Sequence, residues 1–425
     1  MIKKLSSLDS LEEVFKRRTS IESAMEPAKR IVDDVRANGD PAVRKYTKKF
    51  DGLDLESLAL SEGEIDSAFE LIDYETLEHL QHAIDHIETF HSLQMPQADM
   101  WLTETNPGLR LGQKYTALAR AGAYVPGGTG AYPSSALMLI IPAKVAGVPE
   151  VIACTPPRKD GSIHPLTITA IAMAGADEIY RIGGVQAIAA MAYGTESVRK
   201  VDKIVGPGNA YVTAAKMYVR GACEIDMPAG PSEIVVLADE KASPVLIAAD
   251  MIAQMEHDVN SLAILITPSE ALARAVDAEI GIQAASALRR QIIEKAGQVI
   301  YITEDMRTAI AACNDIAPEH VEIMVENPLP VLNAVKNAGT IYVGEYAPVA
   351  AGDYASGANH VLPTGGYAKT FSGMNVMQFM KTTSIQFIEK EGLEGIKDTI
   401  IALANIEGFD AHAKSVQKRF EGQRL

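Results

Sequence analysis

Glu150-Val151-Ile152-Ala153-Cys154, Glu178-Ile179-Tyr180-Arg181-Ile182 and Lys203-Ile204-Val205 are three short apolar runs in one stretch of the chain. Each is followed by Pro or Gly and then by a helical pattern, at about Leu166–Ala174, Gln186–Tyr193 and Asn209–Val219. Strands alternating with helices at this spacing predict a parallel sheet covered on both faces. A fourth run, Ile234–Ala238, opens a second series. Helical Pro244–Glu256 leads to strand-like Leu262–Thr267, and helical Glu270–Ile280 to Val299–Ile302. Helical Met306–Asn314 precedes Val321–Val325, and helical Val331–Asn337 precedes Thr340–Val343. The pattern thus holds two α/β units and no fixed-period repeat. Upstream, helical patterns begin at Leu11, Val14 and Phe15, run from Ile21 to Asn38 before Gly39-Asp40-Pro41, and resume at Glu62–Leu93. After Gly373 the pattern reads helical to the end, broken by Gly392, Gly395 and Gly408, as an arm would.

A chain of 425 residues predicts two to three domains at about 150 residues each. With 47% hydrophobic and 22% charged residues, disorder is excluded. Lys and Arg number 39 against 55 Asp and Glu, a net charge of -16. No basic stripe survives that balance, so neither nucleic acid nor an anionic membrane is an expected partner. Three cysteines, Cys154, Cys223 and Cys313, make no disulfide framework and suit a reducing, cytoplasmic compartment. Met1-Ile2-Lys3-Lys4-Leu5 runs directly into acidic residues, with no apolar leader. The most apolar stretch, Ala136–Val148, is broken by Pro142 and Lys144 and is shorter than the ~20 residues of a membrane span.

Three glycine turns follow predicted strands: Gly127-Gly128, Gly183-Gly184 and Gly206-Pro207-Gly208-Asn209. Open α/β sheets bind ligands at this edge, and helix starts there favour a pyrophosphate. Position 211, where a dinucleotide fingerprint has its third glycine, is Tyr211, and glycine also serves turn geometry alone. Gln254 and His257 are i, i+3 neighbours at the end of a predicted helix. Imidazole is a common metal ligand and an amide a poor one. By spacing alone, His79, His82 and His86 offer more imidazoles, but on a face crowded with Glu75, Glu78, Asp85 and Glu88. Glu319-His320 places an acid beside an imidazole before a predicted strand, the residue types of acid–base chemistry. The alternative is an exposed polar pair. Gly352 to Thr364 gathers Asp353, Ser356, Asn359 and His360 among glycines in one apparent loop. Such a loop is kept ordered most readily where it lines a site. His412, on the tail, reads by pattern as a surface residue. Cys154 has no basic neighbour to activate it and reads as a buried apolar residue.

Taken together, Asp226-Met227-Pro228-Ala229-Gly230-Pro231-Ser232-Glu233, Gln254-Met255-Glu256-His257, Pro318-Glu319-His320, Gly352 to Thr364 and Ala411-His412 resemble histidinol dehydrogenases. Tyr124-Val125-Pro126-Gly127-Gly128, Gly183 to Ala187 and Gly206 to Asn209 extend the resemblance over nearly the whole chain, in collinear order. The resemblance implies an NAD-dependent enzyme that oxidises L-histidinol to L-histidine through L-histidinaldehyde, reducing two NAD, as the last step of histidine biosynthesis. It implies one zinc ion per subunit on Gln254, His257, Asp353 and His412, the last from the partner in a homodimer with shared active sites. Acid–base work falls on Glu319 and His320. Substrate contacts fall on Ser232, His320, His360 and the partner's Glu407, and on the four zinc ligands; cofactor contacts fall on Tyr124, Gln186 and Asn209. The His79–His86 stripe matches no family site. Phe371 to Val376 departs from the family pattern outside these positions.

The implied architecture is two incomplete Rossmann-like domains, one inserted in the other. Residues 1–17 form an N-terminal helical segment; 18–123 with 231–374 form the first domain, carrying metal and catalytic residues. Residues 124–230 form the second, with the cofactor contacts, and 375–425 a helical arm reaching the partner subunit. Two other functions compete: a dehydrogenase of the same frame acting on another small alcohol, such as a sulfonated propanediol, and a non-catalytic dimer joined by metal. The Glu319-His320 pair argues against the second.

Overall fold

The computed structural model describes residues 2–4, 20–128, 130–228 and 230–421. In chain order its strands are β1 (Ile2–Lys4), β2 (Met100–Asn106), β3 (Leu109–Ala117), β4 (Arg120–Tyr124), β5 (Glu150–Cys154), β6 (Glu178–Tyr180), β7 (Lys203–Val205), β8 (Glu224–Ile225), β9 (Glu233–Ala238), β10 (Leu262–Thr267), β11 (Gly297–Ile302), β12 (His320–Met324), β13 (Thr340–Val343) and β14 (Met380–Ile388).

The chain forms two units, residues 1–95 with 118–379, and residues 96–117 with 380–425. The first holds two parallel sheets. One runs β1-β11-β10-β9-β12-β13, the other β6-β5-β4-β7-β8. The five-stranded sheet lies in sequence between β1 and β9, so it is inserted in the other. This is the α/β class read from the strand–helix rhythm. Strands β9 and β10 are buried throughout and apolar except for Glu233 and Thr267 at their ends, as strands covered on both faces tend to be. The apolar stretch after Tyr132 is the helix Pro133–Val145, with every residue from Ser135 to Ala143 buried. Each Leu or Ile buried there is worth roughly 1.5–3 kcal/mol. Among the described residues, no helix is long and apolar enough to cross a membrane.

Helix Ser20–Asp51 leaves helical geometry at Gly39, the expected break, and then continues to Asp51. The sequence groups 18–123 with 231–374. Within that range this helix packs through Ala28, Val32 and Val35 into the core formed with Ile188, Val212 and Ala215, beside the five-stranded sheet. The stretch Glu62–Leu93 divides into Glu62–Glu70 and Tyr74–Ser92, because Ser61 and Asp73 each cap a helix start. The helical pattern from Leu11 lies outside the described residues, and Ile2–Lys4 at its head is an edge strand.

The second unit corrects the sequence expectation. The chain after Gly373 is not helical throughout: Met380–Ile388 is a strand, paired antiparallel with β3 of the β2–β3 hairpin. Helices Lys390–Ile406 and Asp410–Gln417 then follow. Every residue of β2 is exposed and β14 buries none, so neither carries the alternation that marks a half-buried strand.

Candidate active site

Glu319 and His320 stand where β12 begins. Glu319 and His320 are 6% and 4% exposed, so they are not a surface pair. Oε1 of Glu319 lies 3.7 Å from Nε2 of His320. Oε2 accepts the Glu233 N–H at 3.0 Å, and the Ser232 side chain favours the charged form of the same carboxyl. Burial pushes Glu319 well above the usual carboxylate range; the Glu233 N–H opposes this, and the charges of Glu233 and Asp353 add to it. Burial holds His320 down to about 3, helped by the neighbouring imidazoles of His257 and His360. His320 is therefore a neutral base throughout the working pH range.

These mutual influences place His257, Asp353 and His360 around the same point. Gln254 is the last full turn of helix Pro244–Met255, 1% exposed, and neither Oε1 nor Nε2 has a hydrogen-bond partner. His257 follows that helix; desolvation lowers its pKa although part of its surface meets solvent. Asp353 lies in a short helix, Val349–Tyr354, rather than in the loop expected from its glycines, and burial raises it to about 6. An amide with both polar atoms unpartnered, a neutral imidazole and a carboxylate lacking a cation fit a divalent metal with N and O ligands such as zinc. Among the described residues no three His, Cys, Asp or Glu side chains gather to hold a metal by themselves. Only two of the three donors proposed in this unit are of those types. His412 and Glu407 belong to the second unit, where both are exposed; the His412 ring lies 5.3 Å from that of Phe409.

The loop after Asp353 aims His360. Its Nδ1–H donates to the Asp353 carbonyl at 2.8 Å, and Nε2 lies 3.4 Å from Ser135 Oγ. Asn359 donates to the Met138 carbonyl at 2.7 Å and its Oδ1 accepts from the Val361 N–H. The histidine-bearing helix Tyr74–Ser92 supports this loop instead of binding metal. His86 Nδ1 bonds the Ala355 carbonyl at 2.6 Å, and buried His91 lies 3.4 Å from Asn359 Nδ2. Gly357, at φ 94, passes so close to the His86 carbonyl that a Cβ would sit 2.4 Å from it.

The three expected cofactor residues meet at the carboxyl edge of the five-stranded sheet. Tyr124, Gln186 and Asn209 line one cleft of about 790 Å³ with Gly127, Gly128 and Gly184. Strand order turns here, β4 leading to β5 on one side and β7 on the other, the usual ligand crevice of an open sheet. The Gly184 N–H donates to the Tyr124 hydroxyl at 3.0 Å, and Gln186 Oε1 is buried without a partner. Tyr211, at the position of the absent third glycine, lines the cleft wall. Sequence reasoning missed Asp51, the last residue of its helix, whose Oδ2 is buried and unpartnered in the same cleft. A single carboxylate at a helix end carries no local signal; only the fold brings it to the sheet edge. Cys154 is fully buried and its thiol is pushed far up, so it is no nucleophile.

Residues 15–420 match the family described as histidinol dehydrogenase. The histidinol dehydrogenase of Methanosarcina barkeri is 51% identical over 424 residues, 99% of this chain and 98% of that protein. That of Bacillus subtilis is 45% identical over 423 residues, 98% of each chain. The crystal structure of histidinol dehydrogenase from Elizabethkingia anophelis matches with a TM-score of 0.94 at 34% identity, covering 99% of this chain and 98% of that one. A buried acid–imidazole pair beside unpartnered metal-type donors, a dinucleotide-sized cleft and these likenesses agree, and the chain belongs to the histidinol dehydrogenase family.

Proposed function

We propose that the protein oxidises L-histidinol to L-histidine in two hydride transfers to NAD, through L-histidinaldehyde, in the cytoplasm. The observation that carries this reading is the neutral, buried His320 beside Glu319 and within reach of the charges of His257 and His360, together with the buried amide of Gln254, which has no partner. Gln254, His257 and Asp353, with the partner's His412, would hold one zinc ion, which supplies a template for the substrate's amine and imidazole and polarises its oxygen. NAD in the cleft of Tyr124, Gln186 and Asn209 would supply the hydride acceptor. His320 takes the hydroxyl proton of the alcohol. Glu319 then takes a proton from water as the water adds to the aldehyde. His360 and Ser232 orient the substrate, and the partner's Glu407 closes the site from a second copy. Unit two leaves Trp101, Leu102, Phe387, Leu403, Ile406 and Phe409 exposed, apolar surface that suits a homodimer contact. Zinc-loaded protein given L-histidinol should release two NADH per histidine and lose turnover on chelation. Absence of turnover, or preference for another small alcohol in a substrate panel, would overturn the assignment.

Asp51 supports NAD over NADP. Its free carboxyl oxygen would accept ribose hydroxyls, and its charge would repel a 2′-phosphate. Asp51→Asn should weaken NAD binding and narrow the preference over NADP by about tenfold, measured as the ratio of kcat/KM values. An unchanged ratio would remove Asp51 from the cofactor site.

A further inference from the structure

Asp226 and Glu233, either side of the passage from the five-stranded sheet to the six-stranded one, each hold a neighbouring group. At its start, Asp226 Oδ2 accepts the Gly206 N–H at 2.7 Å and its other oxygen pairs with Lys216 Nζ. Lys216 Nζ also donates to the Gly206 carbonyl at 2.7 Å. One ion pair therefore holds both the amide and the carbonyl of a single residue. Further along, the Gly230 N–H donates to Thr364 Oγ1 at 2.5 Å, four residues beyond His360. At the end of the passage, the Glu233 N–H holds Glu319.

Lys216 and Asp226 are 2% and 6% exposed. A buried ion pair seldom stabilises a fold more than an apolar pair of the same volume, so stability does not account for it. What it holds does. Gly206 adopts φ 125, with its Cα so near the Tyr124 carbonyl that a Cβ would lie 2.2 Å from that oxygen. Three residues on, Asn209 caps helix Ala210–Val219 through Oδ1 and lines the cleft. Lys216 sits in that helix and reaches back to the turn that starts it.

We propose that the Lys216–Asp226 pair is a positioning device for the cofactor turn. The inference rests on the NAD reading of the cleft. Lys216 and Asp226 are positioning residues: they act through Gly206 and Asn209.

The test is NADH binding by fluorescence titration of the full-length, zinc-loaded protein, with thermal unfolding alongside. Asp226→Asn alone leaves a buried ammonium unpaired and should unfold at lower temperature. The double variant Lys216→Met/Asp226→Asn removes both charges at nearly constant volume and should keep its Tm near wild type. It should nonetheless bind NADH about tenfold to a hundredfold more weakly, while its affinity for L-histidinol stays unchanged. A folded double variant with wild-type NADH affinity would overturn the proposal. Histidinol and NADH weakened equally would also overturn it, since that is the mark of a general structural role. Wild-type protein that binds no NADH, or binds it unchanged after Asn209→Ala, would bring down the reading of the cleft itself.

Discussion

With Glu319→Gln, oxidation of L-histidinol should stall after one NADH per site, and steady-state turnover should fall by about two to four orders of magnitude. The carboxyl is needed once the aldehyde exists: it must take a proton from water, which an amide cannot do. The first hydride transfer relies on His320 and should survive. His320→Asn should instead suppress both steps. The pH profile separates the two residues. His320, held down to about 3 by burial and by His257 and His360, changes no charge in the working range and contributes no limb. Glu319 starts protonated more often than an ordinary carboxyl because burial raises it. Since its ionised form is the base, turnover should rise with pH through that raised value and level off above it. In Glu319→Gln that rise should vanish from the residual rate. A variant that still releases two NADH, with the wild-type pH profile, would show that Glu319 is not the base for water.

The strand–helix rhythm made most of both parallel sheets legible, because strands covered on both faces are largely apolar; β1, β4 and β8 were not read. From β5 to β13, the three-residue-or-longer strands all fall on runs visible in the sequence. The antiparallel sheet was not legible, because β2 and β14 bury no face and leave no period of two. The site divides in the same way. Pattern alone favoured the His79–His86 stripe over Gln254 and His257, since it counts imidazoles and cannot see burial. His86 instead braces Ala355, and Gln254 is buried with neither polar atom partnered. The glycine-rich loop pointed to Asp353 on its own pattern, whereas only the long, collinear motifs favoured Gln254 and His257. Contributions that depend on contact between distant elements left no local trace. Asp51 in the cofactor cleft and Asp226 on Gly206 are both of this kind.

A second large effect concerns stability. Glu322→Gln should stabilise the protein, and increasingly so as pH rises. Glu322 stands in the middle of β12, 0% exposed, in register between Val236 of β9 and Tyr342 of β13. Asp250, one turn before Gln254 on helix Pro244–Met255, is its charged neighbour, and both Glu322 carboxyl oxygens are buried without a hydrogen-bond partner. Burial, then the charge of Asp250, pushes Glu322 up to about 9. An unfolded Glu ionises near about 4.3. Between these values the unfolded chain has released a proton that the folded chain keeps, so stability falls as pH rises through the window. Below the unfolded value the carboxyl is protonated in both states and imposes no penalty. At ~1.4 kcal/mol per pH unit, the penalty at pH 7 is on the order of 4 kcal/mol. Glutamine has the same shape and stays neutral. Urea unfolding at acid and at mildly alkaline pH measures the prediction. The gain over wild type should be small near the unfolded carboxyl's own pKa and widen steadily above it. A gain independent of pH, or a loss at alkaline pH, would mean that Glu322 is held ionised in the folded protein.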